Sequence, residues 1–376
     1  MNPLEQLSQR SQSVWLDFIS RDFISTGKLQ RMVTEDKLSG VTSNPSIFEQ
    51  AIGSGNTYDD ALRKLLQKDD KQNEKALFES LAVADIRMAA DVLRPVYDQT
   101  SGADGYVSLE VSPHLAHDTA GSITEGRRLW QAVERPNLMI KIPATPEGIP
   151  AIEQLTCEGI NVNITLMFSM AHYEAVAHAY MAGLERRDSL SPGGIKKWPV
   201  SVASFFVSRV DSAIDPLLEK AGTPEALALR GKIAIANAKL AYRRFRQIFH
   251  GEPFSPWREK GAPVQRPLWG STSTKNPAYS DVLYVEELIG PDTVNTIPLK
   301  TLNAFRDHGK ARESVQENLP QAEADFARLQ TLGIDFNAVA EKLQGDGVIA
   351  FAKSYDKLLD TLKKKRANLV ADHFNA

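Results

Sequence analysis

The feature that most constrains the fold is a regular alternation of short β-rich segments with longer helical ones along most of the chain. Eight segments are short, largely apolar and bounded by turn-forming residues, which is typical of buried strands. The predicted strands are residues 13–19, 40–44, 105–111, 138–143, 161–165, 200–204, 267–270 and 293–297. Strands that alternate with helices indicate parallel βαβ units, and eight such units close into a (β/α)8, or TIM, barrel of the α/β class.

Helical periodicity fills the stretches between these strands. The predicted helices are residues 75–96, 122–134, 149–158, 170–187, 206–220, 224–249 and 279–289. A doubly wound sheet would need a glycine-rich turn after the first strand, but residues 15–21 contain no glycine. Residues 270–275 do not form a P-loop either, because they lack the second glycine before the lysine.

The chain is longer than a minimal barrel, and we expect a single barrel domain over residues 1–376 that carries additional helices. A helix is predicted within residues 1–12, and at least two lie in the connection between the second and third strands. Residues 250–266 contain proline and glycine and are predicted to form a surface loop. Residues 301–376 are predicted to form a helical extension packed on the barrel. Its basic run, residues 363–366, fits the solvated end of a helix.

Composition and charge exclude several classes of function. The formal net charge of −3 gives no reason to expect nucleic acid or an anionic membrane as a partner. No apolar run reaches membrane-spanning length, and the N-terminus has no signal-peptide core. Cys157 is the only cysteine, so no intrachain disulfide forms, and we expect a reducing, cytoplasmic location. It is predicted to pack as a small hydrophobe.

Lys141 is the most informative single residue, because it lies within an apolar strand. Burial disfavours the charged form of a lysine, whereas neighbouring carboxylates favour it, and the sequence alone does not decide between these effects. A neutral lysine amine can attack a carbonyl and form a Schiff base. A lysine whose ammonium reaches solvent from an edge strand is the alternative.

Lys141 is one of several polar residues that interrupt the apolar strands near their carboxyl ends. In a barrel, these ends surround one pocket. These residues are Asp17, Thr42, Asn44, Glu110, Lys141, Asn163, Thr165 and Ser204. Together they supply an amine, two carboxylates and several neutral hydrogen-bonding groups. This combination is typical of a lyase or transferase that acts on a carbonyl compound.

The histidines give little support for a metal site. His114 and His117 are three residues apart, but no third ligand stands near them in the sequence. His172 and His178 are predicted to lie on the surface of a helix. We therefore expect no metal.

Three motifs, in order, resemble those of the transaldolase family. They are residues 40–46 (GVTSNPS), 137–145 (NLMIKIPAT) and 159–169 (GINVNITLMFS), and the similarity continues through residues 203–209. The resemblance implies transfer of a dihydroxyacetone unit from a ketose phosphate to an aldose phosphate, with no metal and no organic cofactor. The reaction would convert sedoheptulose 7-phosphate and glyceraldehyde 3-phosphate into erythrose 4-phosphate and fructose 6-phosphate in the pentose phosphate pathway.

The resemblance also implies catalytic roles for four residues. Lys141 would attack the C2 carbonyl of the ketose. Asp17 would remove the proton of the C4 hydroxyl. Glu110 would act with Thr165 and a water molecule in the proton transfers around carbinolamine formation.

The remaining site residues are implied to bind substrate. Asn44 and Asn163 would contact substrate hydroxyls and the intermediate, and Thr42 and Ser204 would complete the pocket wall. Arg209 would bind phosphate, as would Ser273 and Lys275. Lys275 stands where the family often has an arginine, so it would act as a point charge and not as a bidentate fork.

Two alternatives to transaldolase remain open. A fructose-6-phosphate aldolase would use the same lysine but release free dihydroxyacetone, although chains of that type are much shorter. A barrel that binds sugar phosphates without catalysis would retain the pocket but not the reaction. The oligomeric state is not determined by the sequence, and a homodimer is compatible with it.

Overall fold

A computed structural model describes residues 2–195 and 197–374. Eight parallel strands form a closed barrel in which each strand pairs with its neighbours in chain order. The strands are β1 Gln12–Asp17, β2 Leu38–Thr42, β3 Tyr106–Glu110, β4 Leu138–Pro143, β5 Val162–Met167, β6 Ser201–Phe206, β7 Arg266–Gly270 and β8 Thr293–Ile297. The predicted (β/α)8 barrel is therefore confirmed, and the strand ends differ from the predicted ones by at most two residues.

Helices surround the barrel and extend it at several places. They are α1 Pro3–Gln9, α2 Arg21–Ser25, α3 Lys28–Glu35, α4 Pro45–Gly53, α5 Asp59–Lys68, α6 Glu74–Gln99, α7 Thr119–Val133, α8 Gly148–Cys157, α9 Met170–Leu190, α10 Ser208–Ala221, α11 Pro224–Leu227, α12 Ile233–Phe249, α13 Ser255–Glu259, α14 Leu283–Glu286, α15 Leu299–His308, α16 Leu319–Thr331 and α17 Phe336–Phe374. The β2–β3 connection thus contains three helices, α4 to α6. Within the described residues, no helix is both long enough and apolar enough to cross a membrane.

The barrel interior has an apolar layer near the amino ends of the strands and a polar layer near the carboxyl ends. Successive side chains of a strand point to opposite faces of the sheet, so every second residue of each strand points into the barrel. The apolar layer includes Trp15, Tyr106, Met139, Val202, Leu268 and Val294. A Cβ atom on Gly40 would approach the Trp15 indole to 2.4 Å, so glycine makes room for that ring. This layer closes the barrel below the polar residues.

Two of the predicted helices are wrong in part, and buried carboxylates explain one of them. The predicted helix 224–249 is interrupted between α11 and α12. There Asp215 accepts a hydrogen bond from the Gly231 backbone N–H (3.1 Å), and Asp211 accepts one from the Ala234 N–H (2.8 Å). These carboxylates, which come from α10, bind the turn between the two helices and the first turn of α12. The predicted helix 279–289 is reduced to the four residues of α14.

The regions outside the barrel also differ from their predictions. Residues 250–266 are not only a loop, because they contain a 3-10 turn and α13, and Phe254 is fully buried there. The C-terminal region is helical except at residues 309–318 and 332–335. The basic run 363–366 lies within α17, where the Lys365 Nζ donates to the Gly55 carbonyl (2.7 Å) and Arg366 donates to the Gln72 carbonyl (2.8 Å). Its second half therefore binds the segments before and after α5 and is not a solvated helix end.

Candidate active site at the carboxyl ends of the strands

The carboxyl ends of the strands surround a cavity of about 190 Å³. Eight of the eleven predicted site residues line it, from five strands and the segments that follow them. They are Asp17, Thr42, Asn44, Lys141, Ser204, Arg209, Ser273 and Lys275. Glu110, Asn163 and Thr165 are buried next to this wall, and strand register places each of them beside a residue of β4.

Lys141 lies in the middle of this arrangement and is held from several sides. Its register partners are Glu110 on β3 and Asn163 on β5. The Nζ atom donates a hydrogen bond to the Ser43 carbonyl (3.2 Å) and lies 3.2 Å from Glu110 Oε2. The side chain is only 6% exposed, so its amine faces the cavity and not bulk solvent. The surface-lysine alternative is therefore wrong.

The two carboxylates beside Lys141 both have a raised pKa. Burial raises the pKa of Glu110 above its ordinary value of 4.5, although the charge of Lys141 opposes the shift. Burial likewise raises the pKa of Asp17 above 3.8, against the opposing effects of Lys141 and of a hydrogen bond from Thr42. A raised pKa keeps a carboxyl closer to the pH at which it can both give and take a proton. Perturbed carboxyl groups of this kind are frequent at active sites.

A chain of hydroxyl groups orients Asp17. The Thr42 hydroxyl donates to Asp17 Oδ1 (2.7 Å), and its oxygen lies 2.6 Å from the Thr296 Oγ1 atom on β8. This contact leaves Asp17 Oδ2 as the oxygen that can meet a proton of the substrate. Three adjacent strands, β8, β1 and β2, thus fix one carboxylate.

A second chain of hydrogen bonds runs behind Lys141. The Ser204 hydroxyl donates to Asn163 Oδ1 (2.6 Å), and Asn163 Nδ2 donates to Ser108 Oγ (2.9 Å). The Thr165 hydroxyl is fully buried, and no described residue forms a hydrogen bond with it. Buried polar groups are usually paired, so this hydroxyl is available to a water molecule or a ligand.

Positive charge is concentrated at another side of the cavity. Arg209 is the second residue of α10, and its guanidinium lies 5.3 Å from the centre of the Phe206 ring. Lys275 Nζ donates to Ser273 Oγ (2.7 Å) in the segment that follows β7. Burial lowers the pKa of Lys275, and the charge of Arg209 lowers it further. Two cations at one edge of a small cavity are suited to a phosphate group.

Asn44 has a structural task in addition to its place in the wall. Its side-chain oxygen accepts a hydrogen bond from the Ile47 N–H (3.0 Å) and so caps α4. The Nδ2 amide is the part that can donate to a substrate hydroxyl. Because the cap fixes the side chain, the amide is preorganised.

Eight further residues of the cavity wall were not predicted from the sequence: Ser46, Phe206, Leu268, Gly270, Ser271, Thr296, Pro298 and Phe351. The alternation of side chains along a strand indicated Phe206 and Thr296. Phe206 is two residues after Ser204, and Thr296 is two residues after the buried Val294. Phe351 lies on α17, far from the strands in sequence, and its ring centre is 5.7 Å from Lys141 Nζ. No local pattern could have placed it there.

His114, His117 and His172 lie outside the cavity and pair with carboxylates. His172 was predicted to be on a helix surface, but it is buried, and its Nε2 atom lies 2.8 Å from Glu341 Oε1 on α17. His172 is buried because α17 covers this side of the barrel. His114 and His117 contact Asp356 (2.7 Å) and Glu147 (3.0 Å), respectively. Among the residues whose side chains the structure describes, no group of three His, Cys, Asp or Glu side chains has metal-binding geometry.

Comparison with known protein families agrees with this geometry. The family model described as "Transaldolase/Fructose-6-phosphate aldolase" matches residues 14–362, which span the barrel and most of the C-terminal helix. The chain belongs to this family. The resemblance of its motifs to those of the transaldolase family is therefore confirmed.

Related proteins match the chain over nearly its whole length. A protein named Transaldolase from Thiobacillus denitrificans is 48% identical over 359 residues, which cover 96% of this chain and 99% of that protein. A Transaldolase from Parafrankia sp. is 49% identical and covers 96% of this chain and 98% of its own length. A Transaldolase from Thermobifida fusca is 46% identical, with 97% and 99% covered.

Proposed function

We propose that this chain is a transaldolase that transfers a dihydroxyacetone unit between sugar phosphates through a Schiff base on Lys141. The observation that carries the proposal is the position of the Lys141 amine, which is buried at the cavity wall beside Glu110 and close to a second carboxylate, Asp17. The cations Arg209 and Lys275 line the same cavity. The names and full-length similarity of the relatives support the assignment.

The first step is attack of the neutral Lys141 amine on the C2 carbonyl of the ketose. Carbinolamine formation and loss of water need a group that moves protons at the same carbon, and Glu110, at 3.2 Å from Nζ, is in reach. The unpaired Thr165 hydroxyl can hold the water molecule that leaves or returns. The protonated imine that results is an electron sink.

The second step is cleavage of the C3–C4 bond. Asp17 removes the proton of the C4 hydroxyl, the C4 oxygen becomes the carbonyl oxygen of the departing aldose, and the electron pair of the bond moves into the imine to form an enamine. The aldose phosphate leaves, and a second aldose phosphate enters. Reversal of the same steps transfers the three-carbon unit to it. The imine supplies the electron sink, so this sequence requires no additional cofactor.

The phosphate groups of donor and acceptor would bind at the cationic edge of the cavity. The Arg209 guanidinium can donate two parallel hydrogen bonds to phosphate, and Lys275 adds a point charge held by Ser273. Asn44, Asn163 and Ser204 would bind the hydroxyls of the bound sugar. We further propose that the reaction belongs to the cytoplasmic pentose phosphate pathway, with sedoheptulose 7-phosphate and fructose 6-phosphate as the two ketoses.

Reduction with borohydride in the presence of fructose 6-phosphate tests the proposal. A Schiff-base enzyme gains a covalent adduct on Lys141, which peptide mass spectrometry identifies, whereas a barrel that only binds sugar phosphates gains none. A coupled assay with and without erythrose 4-phosphate then separates the two enzymatic alternatives. Dihydroxyacetone release that does not depend on the acceptor would identify a fructose-6-phosphate aldolase instead.

A further inference from the structure

Helix α17 crosses the open end of the barrel and places one buried amide between two strand ends. Gln344 is 5% exposed, and its Nε2 atom donates hydrogen bonds to the Ala144 carbonyl (2.9 Å) and to the Leu166 carbonyl (3.0 Å). Ala144 directly follows β4, and Leu166 lies in the last part of β5. One side chain of the C-terminal helix therefore joins the strand that carries Lys141 to the strand that carries Thr165.

The backbone at Leu166 is unusual. Leu166 has a φ angle of +61°, in the left-handed region, which is unfavourable for a residue with a large side chain. The pairing of β5 with β6 shifts register between Ile164 and Met167, so Leu166 leaves the regular ladder. Its carbonyl needs another partner, and the Gln344 amide supplies one. Strained backbone persists only where surrounding contacts hold it, and Gln344 is such a contact.

This backbone geometry controls the adjacent Thr165. The Thr165 carbonyl accepts a hydrogen bond from the Ala144 N–H (2.7 Å), which closes a ring of contacts with Leu166 and Gln344. The Thr165 hydroxyl has no hydrogen-bond partner among the described residues, so its direction depends on the backbone that carries it. A relaxed φ angle at Leu166 would rotate the preceding peptide and turn this hydroxyl away from its present position.

The same face of α17 also reaches the cavity. A Cβ atom on Gly347 would lie 2.8 Å from the Leu166 side chain, so the helix approaches β5 as closely as a glycine allows. One turn further, the Phe351 ring centre lies 5.7 Å from Lys141 Nζ and 5.8 Å from the Arg209 guanidinium. Gln344 is the hydrogen-bonded anchor of this face.

We propose that Gln344 is a positioning residue for the Schiff-base chemistry: it holds Leu166 in its left-handed turn, which directs Thr165 toward the reacting atoms and seats Phe351 beside Lys141. This inference rests on the proposed function, because it assumes that Lys141 forms the imine. Gln344 itself does not touch the substrate.

The test measures the rate at which borohydride traps fructose 6-phosphate on the protein. Gln344→Met keeps the length of the side chain and removes both donated hydrogen bonds. We expect its trapping rate to fall by about 10–100-fold, the effect of a displacement near 1 Å at a catalytic group. Gln330→Met, an exposed glutamine on α16, is the matched control and should trap at the wild-type rate. Trapping by the wild type tests the proposed function alone, and the ratio of variant to wild type tests the role of Gln344.

A double-mutant cycle separates positioning from simple docking of the helix. Glycine adopts a left-handed φ angle without the penalty of a larger residue, so Gln344→Met should lower the trapping rate less in a Leu166→Gly background than in the wild type. Because both rates of that comparison are measured without the buried Leu166 side chain, the packing lost with it cancels; loss of helix docking alone would give the same reduction in both backgrounds. The proposal is overturned if Gln344→Met traps at the wild-type rate, or if it lowers the rate equally in the two backgrounds. If Gln344→Met does not fold, Gln344→Asn replaces it, because its shorter amide weakens both hydrogen bonds.

Discussion

Replacing Asp17 with asparagine should stop the reaction between imine formation and carbon–carbon cleavage. The Thr42 hydroxyl donates to Asp17 Oδ1 at 2.7 Å, and an asparagine carbonyl oxygen can accept the same hydrogen bond. The side chain would therefore keep its position while it loses the basic oxygen. The Lys141–Glu110 pair is untouched, so imine formation should continue.

The expected magnitude follows from the proton transfer that is lost. A positioned general base contributes about 10²–10⁴-fold, which corresponds to about 3–5 kcal/mol in the activation free energy of cleavage. The wild type should also show a pH dependence from this group. Because burial raises the pKa of Asp17, the cleavage rate should fall as pH decreases through a value above the ordinary 3.8, and this limb should disappear in the variant.

The assay is borohydride trapping followed by mass spectrometry of the peptide that contains Lys141. With fructose 6-phosphate, the wild type should give a three-carbon adduct, whereas Asp17→Asn should accumulate an intact six-carbon adduct. Asp60→Asn is a suitable control, because that side chain is 86% exposed and lies on α5, outside the barrel strands. A three-carbon adduct formed by Asp17→Asn at the normal rate would show that another group removes the C4 proton.

Three further variants test other parts of the site. Glu110→Gln should slow imine formation by about 10²–10⁴-fold with little change in KM, because it removes a proton relay and leaves the cationic edge intact; near-normal trapping would reduce Glu110 to a structural ion-pair partner. Arg209→Met should raise the KM for fructose 6-phosphate by about 10–100-fold, as expected for a lost charge-assisted hydrogen bond, and Lys275→Met should raise it less. Equal losses with fructose itself would contradict the phosphate role. Asp211 has its pKa raised by burial to about 7, from an ordinary value of 3.8. The folded protein therefore binds more protons than the unfolded chain between these values, so this group makes the free energy of unfolding decrease as pH rises through that window, by up to about 4 kcal/mol. Urea unfolding of Asp211→Asn should show a smaller decrease from pH 4 to pH 7 than the wild type, and parallel curves would refute the assignment.

The barrel and most of the cavity could be predicted from the sequence because the relevant signals are local. Each strand is a short apolar run, and a polar residue such as Asp17 or Lys141 near its carboxyl end interrupts that run. In a parallel barrel these ends converge without further information. Thr296 follows the same alternation of side chains along β8, so its place in the cavity was also predictable from the sequence.

The parts that could not be predicted depend on contacts between distant segments. The break before α12 follows from Asp211 and Asp215, which reach across from α10 to bind its first backbone N–H groups and the preceding turn. His172 is buried because α17 covers it, and Phe351 enters the cavity for the same reason. The apolar spacing of α17 predicts a packed helix but not the surface on which it packs.

The most direct test of the central claim is borohydride trapping in Lys141→Ala, compared with the wild type. The wild type incubated with fructose 6-phosphate should lose activity on reduction and carry one sugar-derived adduct on the peptide that contains Lys141. Lys141→Ala should fold, give no adduct and show no transfer to erythrose 4-phosphate, since the other lysine of the described cavity wall, Lys275, belongs to the cationic edge, where its Nζ donates to Ser273, and does not pair with Glu110. Transfer above background by the purified variant, or an adduct on a different lysine of the wild type, would contradict the account.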